Sequence, residues 1–228
     1  CLTALLPYCL TAPLPYCPTA PLPMPSSIEH VILVPGLLEP QVAFWPLRHR
    51  LRRHGVRVDF FADRLAFRKI DNSIGRLTEL IEAGPDRRTT AIVTHSFGDW
   101  VARQAIARAS SSHVSALVSV APVMRAGFLP ALVQMVSGNL IPEIKIIMNP
   151  DRASKNLDCD SAVDRLVLWA RFDECLRSVD LGHISNLETQ QVLATHLSIV
   201  LQPNVMSRIE AFLFSRGQSR GDSQVATR

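Results

Sequence analysis

No uninterrupted apolar run in this 228-residue chain reaches the roughly 18 residues that a membrane-spanning helix needs. Stable membrane insertion is therefore not expected. Asn-x-Ser/Thr acceptors are missing. So are the Gly-x-Gly-x-x-Gly and phosphate-loop patterns, which removes the usual nucleotide signatures. The five cysteines are odd in number and have no Cys-x-x-Cys or metal-type spacing. Cys1, Cys9 and Cys17 lie in a repeat, while Cys159 and Cys175 stand apart. That pattern favours a reducing, cytoplasmic compartment over a disulfide framework. His30, His49, His54 and His113 lack a His-x-x-x-His or Cys partner, so neither a metal nor a cofactor is expected. A net charge of +4 is mild. The basic stretch "RHRLRRHGVR", Arg48 to Arg57, reads as a solvated helix face and not as a nucleic-acid or lipid-headgroup patch.

What is present begins with an octapeptide in three copies, "CLTALLPY", "CLTAPLPY" and "CPTAPLPM". Proline at that density prevents a helix or a central strand. The segment has no basic stretch before its apolar residues, so it does not read as a signal peptide. Residues 1–27 are expected to be a disordered leader, with Met24 as a plausible start and a lipid anchor at Cys1 as the less favoured alternative. The polar end "SRGQSRGDSQVATR", residues 215–228, is expected to be a disordered tail.

Between these ends, residues 28–214 alternate in period. "EHVILVPG" reads as a buried strand, "FWPLRHRLRRHG" as a helix stopped by Gly55, and "VRVDFFA" as a strand. "NSIGRLTELIEAG" reads as a helix capped by Asn72 or Ser73. "TAIVTH" and "VSALVSVAP" are strands on either side of the helix "GDWVARQAIARA". "DRLVLWARFD" and "QQVLATH" complete about six strands, and "NVMSRIEAFLF" is a closing helix. Strands alternating with helices make βαβ units and a parallel sheet. The near-continuous apolar strands agree, because such a sheet is covered on both faces. The fold class is α/β.

Ser96 lies where "TAIVTH" meets "GDWVARQAIARA". A strand delivers it to the carboxyl edge of the sheet, where open α/β sheets place ligands. A sharp strand-to-helix turn needs small residues two before and two after the serine, and Thr94 and Gly98 hold those positions. The helix that follows aims unpaired N–H groups at the turn. The competing reading makes Ser96 the helix N-cap.

The stretch "THSFGDWVAR" resembles the nucleophile elbow of α/β-hydrolases, in particular of small bacterial lipases and esterases. His95, Ser96, Gly98, Ala102 and Arg103 carry the resemblance, and Thr94 and Asp99 depart from it. Asp99 introduces a negative charge near the elbow. "ILVPGLLEP" resembles the family's turn after the first strand, and "FWPLRHRLRRHGVRVDFF" its next helix and strand. The resemblance covers about Ile28 to Phe214. It implies a minimal α/β-hydrolase fold of about six parallel strands and a carboxylic ester hydrolase acting through a Ser-His-Asp triad and an acyl-enzyme. Its oxyanion hole would use the backbone N–H groups of Leu37 and Phe97. The substrate would be a small-molecule acyl ester, with lipid-interface contact open. Acyl transfer on the same triad, or a degenerate fold used as a binding module, are the alternatives.

In this fold the order along the chain is serine, acid, histidine. Two pairs satisfy it. Asp173 ends "LVLWARFD" and His196 ends "QQVLATH", and "THLSIVLQPNVMSRIEAFL" resembles the family's closing segment. Asp151 with His183 is the second choice. It requires "SAVDRLVLWARF" to be a helix and leaves "QQVLATHLSIVL" without an evident place. The first pair is preferred. Residues 124–161 then become an apolar insertion before the acid-bearing strand. Phe128, Leu132, Met135 and Leu140 are its candidate substrate-binding residues, as a lid or acyl-binding wall, with ordinary core as the other reading.

Overall fold

The computed structural model describes residues 28–63, 65, 69–84, 89–110, 113–127, 141–158, 160 and 162–215. Six strands form one sheet: β1 (His30–Val34), β2 (Arg57–Phe60), β3 (Thr90–His95), β4 (Val114–Val120), β5 (Asp164–Phe172) and β6 (Leu187–Thr195). Their order is β2-β1-β3-β4-β5-β6, and every neighbouring pair is parallel. The main helices are α1 (Trp45–Arg52), α2 (Ile70–Glu82), α3 (Phe97–Arg108) and α6 (Pro203–Phe214). Two short ones, α4 (Ile144–Met148) and α5 (Pro150–Ala153), precede β5. Among the described residues no helix is long and apolar enough to cross a membrane.

The period-2 pattern of the strands sorts the core into two layers. Val31, Leu33, Val93, Val118 and Leu166 face α1 and α6, packing on Leu47, Leu51, Val205, Ile209 and Phe212. Ile32, Val34, Ile92 and Leu117 face the other way, onto Ile74, Leu77 and Ile81 of α2 and Val101, Ala102 and Ala105 of α3. Alternate residues of one strand point to opposite faces, so strands of this kind are apolar throughout. Full burial of a side chain such as Leu77 contributes about 1.5–3 kcal/mol.

Chain order reverses between β1 and β3: the chain leaves β1 for β2 on one side and returns to β3 on the other. Such a switch point opens a crevice at the carboxyl ends of the strands. The turn after β1 and the elbow after β3 flank it.

One local expectation is corrected. Helix α2 begins at Ile70 with Lys69 in the cap position and no side-chain cap bond. Neither Asn72 nor Ser73 caps it, because Ile70 packs against the core and draws the helix start forward. "DRLVLWARF" is strand β5, so the helix required by the Asp151–His183 pair does not form. The described part of the 124–161 stretch, 141–158, carries helices α4 and α5. Ile146, Ile147 and Ala153 join the core layer that contains α3. Phe128, Leu132, Met135 and Leu140, residues 1–27 and nearly all of the tail lie outside the described residues.

Candidate active site

Ser96 has φ +51° and ψ −121°, a conformation that side chains other than glycine seldom adopt. It is held there by β4 and the turn after it and by its own helix: its N–H donates to Val120 O, and its carbonyl accepts from Val123 N and Asp99 N. Strain at a sharp turn persists only where the surroundings over-determine it. Ser96 occupies the N-cap position of α3 but makes no side-chain cap bond. Its Oγ lies 2.9 Å from His196 Nε2 instead.

The neighbours of Ser96 show why the turn tolerates only certain residues. A Cβ on Gly98 would stand 2.5 Å from both Val34 O and Pro35 O, so glycine is required. Thr94 is completely buried, and its hydroxyl donates to Val118 O at 3.1 Å. It sits beside Ser119 of β4, whose small side chain leaves the room. Asp99 does not act on the elbow's outer face as its sequence position suggested. Its carboxylate is fully buried and accepts from Arg103 Nε at 2.9 Å and Ser119 Oγ at 2.5 Å, with Arg165 Nη2 at 3.4 Å. Arg103 goes on to donate to the carbonyls of Val123, Ala153 and Lys155, tying α3 to the segment before β5.

Asp173 follows β5 directly. The pairing of β5 with β6 slips between Ala170 and Phe172, and an irregularity at a strand end re-aims the side chains next to it. Asp173 Oδ1 accepts from Cys175 N at 2.8 Å and Leu176 N at 2.7 Å, while Oδ2 lies 2.9 Å from His196 Nδ1. His196 follows β6, is nearly buried, and its N–H donates to Glu174 Oε2. Asp173, His196 and Ser96 thus form one continuous hydrogen-bond chain. A carboxylate only accepts, so Nδ1 carries the imidazole hydrogen and Nε2 is left to accept from the serine hydroxyl.

The turn Pro35-Gly36-Leu37 faces the elbow closely enough that a Cβ on Gly36 would stand 3.1 Å from Ser96 Cβ. Leu37 is half-buried there, and Phe97 opens α3, where a first-turn N–H has no acceptor within the helix. Leu38, Phe172 and Leu197, next in sequence to Leu37, Asp173 and His196, are exposed.

The second-choice pair is not brought here. Asp151 is exposed on α5, and His183 is exposed in the connection between β5 and β6. Among the described residues, Asp173, Cys175 and His196 offer ligand atoms within 4.8 Å of one another. The donors are engaged otherwise: Asp173 and His196 hold each other, and burial together with Asp173 and Glu174 pushes the Cys175 thiol up to about 12.

Sequence reasoning missed Glu39 altogether and saw His95 only as a motif position. His95 Nδ1 lies 2.8 Å from Glu39 Oε2, and His95 Nε2 lies 3.0 Å from the carbonyl of His196. No local signal marks a pair separated by 56 residues.

Six parallel strands in one sheet flanked by helices, with chain order reversing between β1 and β3, give this chain the α/β-hydrolase fold. Solved structures agree. Over 82% of this chain and 80% of the other, it superposes on the Pyrococcus furiosus esterase Pf2001 with a TM-score of 0.59 at 17% identity. The ydeN gene product of B. subtilis gives 0.57 at 15% identity, over 81% of this chain and 98% of that one. The methylesterase MES16 of Arabidopsis gives 0.54 at 14%, over 82% and 99%. No protein-family model matches the chain, and no curated protein matches it in sequence.

Proposed function

We propose that this protein is a serine hydrolase of carboxylic esters, with Ser96 as nucleophile, His196 as base and Asp173 as the acid that fixes the imidazole. The observation that carries the reading is the unbroken chain Asp173 Oδ2–His196 Nδ1, 2.9 Å, and His196 Nε2–Ser96 Oγ, 2.9 Å, ending at a positive-φ serine. A serine hydroxyl is a weak nucleophile until an adjacent base takes its proton.

Ser96 Oγ attacks the acyl carbonyl as its proton passes to His196 Nε2. The N–H groups of Leu37 and Phe97 receive the developing oxyanion, which is where preorganised donors act most strongly. Collapse breaks the ester C–O bond, and His196 returns the proton to the leaving alcohol. Water then attacks the acyl-enzyme by the same steps, releasing the acid and restoring Ser96. Asp173 stays ionised throughout and stabilises the imidazolium. Exposed Leu38, Phe172 and Leu197, each next in sequence to a site residue, favour an apolar acyl or alkyl group as substrate.

Hints of a degenerate site lose their force, because Thr94 is accommodated by Ser119 and Asp99 is neutralised by two arginines. Two structural neighbours, the Pyrococcus furiosus esterase Pf2001 and the Arabidopsis methylesterase MES16, support the same reading. A fluorophosphonate probe tests the reading: rapid labelling of Ser96, mapped by peptide mass, together with turnover of 4-nitrophenyl esters is expected. No labelling and no turnover across a series of acyl lengths would rule it out.

A further inference from the structure

A second acid–imidazole pair lies directly behind the first. His95 is the last residue of β3, 1% exposed in its side chain, and its ring lies 4.9 Å from that of His196. Both of its nitrogens are engaged. Nε2 meets the carbonyl oxygen of His196 at 3.0 Å. A carbonyl only accepts, so Nε2 carries a hydrogen. Nδ1 meets Glu39 Oε2 at 2.8 Å. The same Oε2 also accepts the N–H of Gly36 at 2.7 Å.

These contacts constrain the protons. A bare Nδ1 facing a bare carboxylate oxygen would set two lone pairs against each other in a buried place. One proton therefore lies between Oε2 and Nδ1, whether it is written as imidazolium with carboxylate or as imidazole with carboxylic acid. Either way the pair is neutral as a unit, and Oε2, Nδ1 and Nε2 all have partners. Desolvation disfavours an isolated charge on either partner.

The position of the pair is as informative as its protons. Glu39 folds back on its own turn. Its N–H donates to Gly36 O at 3.3 Å while its side chain takes the Gly36 N–H, so the turn that carries Leu37 is closed from both sides. Leu38 within that turn holds φ +59°, a conformation that costs a non-glycine residue energy and needs external support. His95 then links this turn to the backbone of His196, 101 residues further along the chain.

We propose that Glu39 and His95 are a positioning pair that locks the turn after β1 and the backbone of His196 in register with Ser96. The inference rests on the hydrolase reading above. Misplacement of a reacting group by about 1 Å costs on the order of 100-fold in rate. That is the effect expected when either partner is removed, and it falls on kcat because neither residue touches substrate.

The test compares Glu39→Ala, Glu39→Gln and His95→Ala with the parent chain. Turnover of 4-nitrophenyl acetate is divided by the number of Ser96 sites titrated to completion with fluorophosphonate, so unfolded protein drops out of the ratio. Each variant is expected to lose on the order of 10- to 100-fold in kcat with KM changed by less than about threefold. Glu39→Gln keeps the shape, so it decides the matter if Glu39→Ala fails to fold. It is expected to fail as well, because an amide oxygen facing Gly36 N–H and His95 Nδ1 shares no proton. The double variant Glu39→Gln/His95→Ala should be no worse than the poorer single one, as for residues that act as a unit. A Glu39→Gln chain with kcat per titrated site within about twofold of the parent, or losses that multiply in the double variant, would overturn the pairing while leaving the hydrolase reading intact. A parent chain that neither labels nor turns over overturns both.

Discussion

Two buried polar clusters lie one turn of helix apart at the start of α3, and they are built to different ends. The first joins Glu39, His95, His196, Asp173 and Ser96, and its last atom is a hydroxyl on a residue that is only partly buried. The second joins Asp99, Arg103, Arg165 and Ser119 and ends on backbone carbonyls of Val123, Ala153, Lys155 and Leu157. The first is open toward solvent at one atom, while the second is closed on protein. An open network can pass a proton to an incoming molecule. A closed one is buried away from any incoming molecule and serves as frame. Charge content therefore does not separate chemistry from architecture here; the terminus of each network does.

The comparison can be broken at either cluster. Replacing Ser96 by Ala removes the open end and should lower ester turnover on the order of 10⁶-fold, with the melting temperature held or raised, as activity assays and calorimetry would show. A variant that keeps most of its turnover would move the nucleophile elsewhere. Asp173→Asn leaves the geometry but frees the imidazole to take the wrong tautomer, and kcat should fall by about 10⁴ with a folded chain by circular dichroism. Retention of parental kcat in this variant would mean that Asp173 does not orient His196.

Arg103→Met attacks the closed cluster. It strips a partner from a fully buried Asp99, and breaking a buried pair costs about 3–5 kcal/mol in unfolding free energy. Urea denaturation should show the loss, while kcat per titrated serine in the surviving folded fraction stays close to the parent's. A fall in kcat with no loss of stability would mean that the two clusters work as one. The smallest effects belong to Asp151→Asn and His183→Ala. Both residues are exposed and belong to neither cluster, so stability should shift by no more than about 0.5 kcal/mol. An indispensable His183 would return the base to the second-choice pair.

Much of this architecture can be read in one dimension because its causes are local or periodic. Near-continuous apolar strands separated by amphipathic helices dictate a parallel sheet covered on both faces. Glycine at position 98 betrays the close approach of α3 to β1. Ser96, Asp173 and His196 each directly follow a strand, so chain order alone made them candidates to meet at one edge. What lies between strands resisted reading. The stretch 141–158 carries no clean period, because its apolar residues meet α3 and not a neighbour in sequence.

Tertiary structure alone decided which partner each ionisable group took. Asp99 looked like a threat to the elbow, yet Arg165, 66 residues away, turns it into part of the frame. Glu39 drew no reading from the sequence, yet it closes a turn and holds a histidine. The reason is the range of the forces involved. Apolar period and backbone propensity act within a few residues, and the chain records them directly. Whether a carboxylate is costly, neutral or useful depends on desolvation and on donors within about 3 Å, and only the folded chain brings those donors to it.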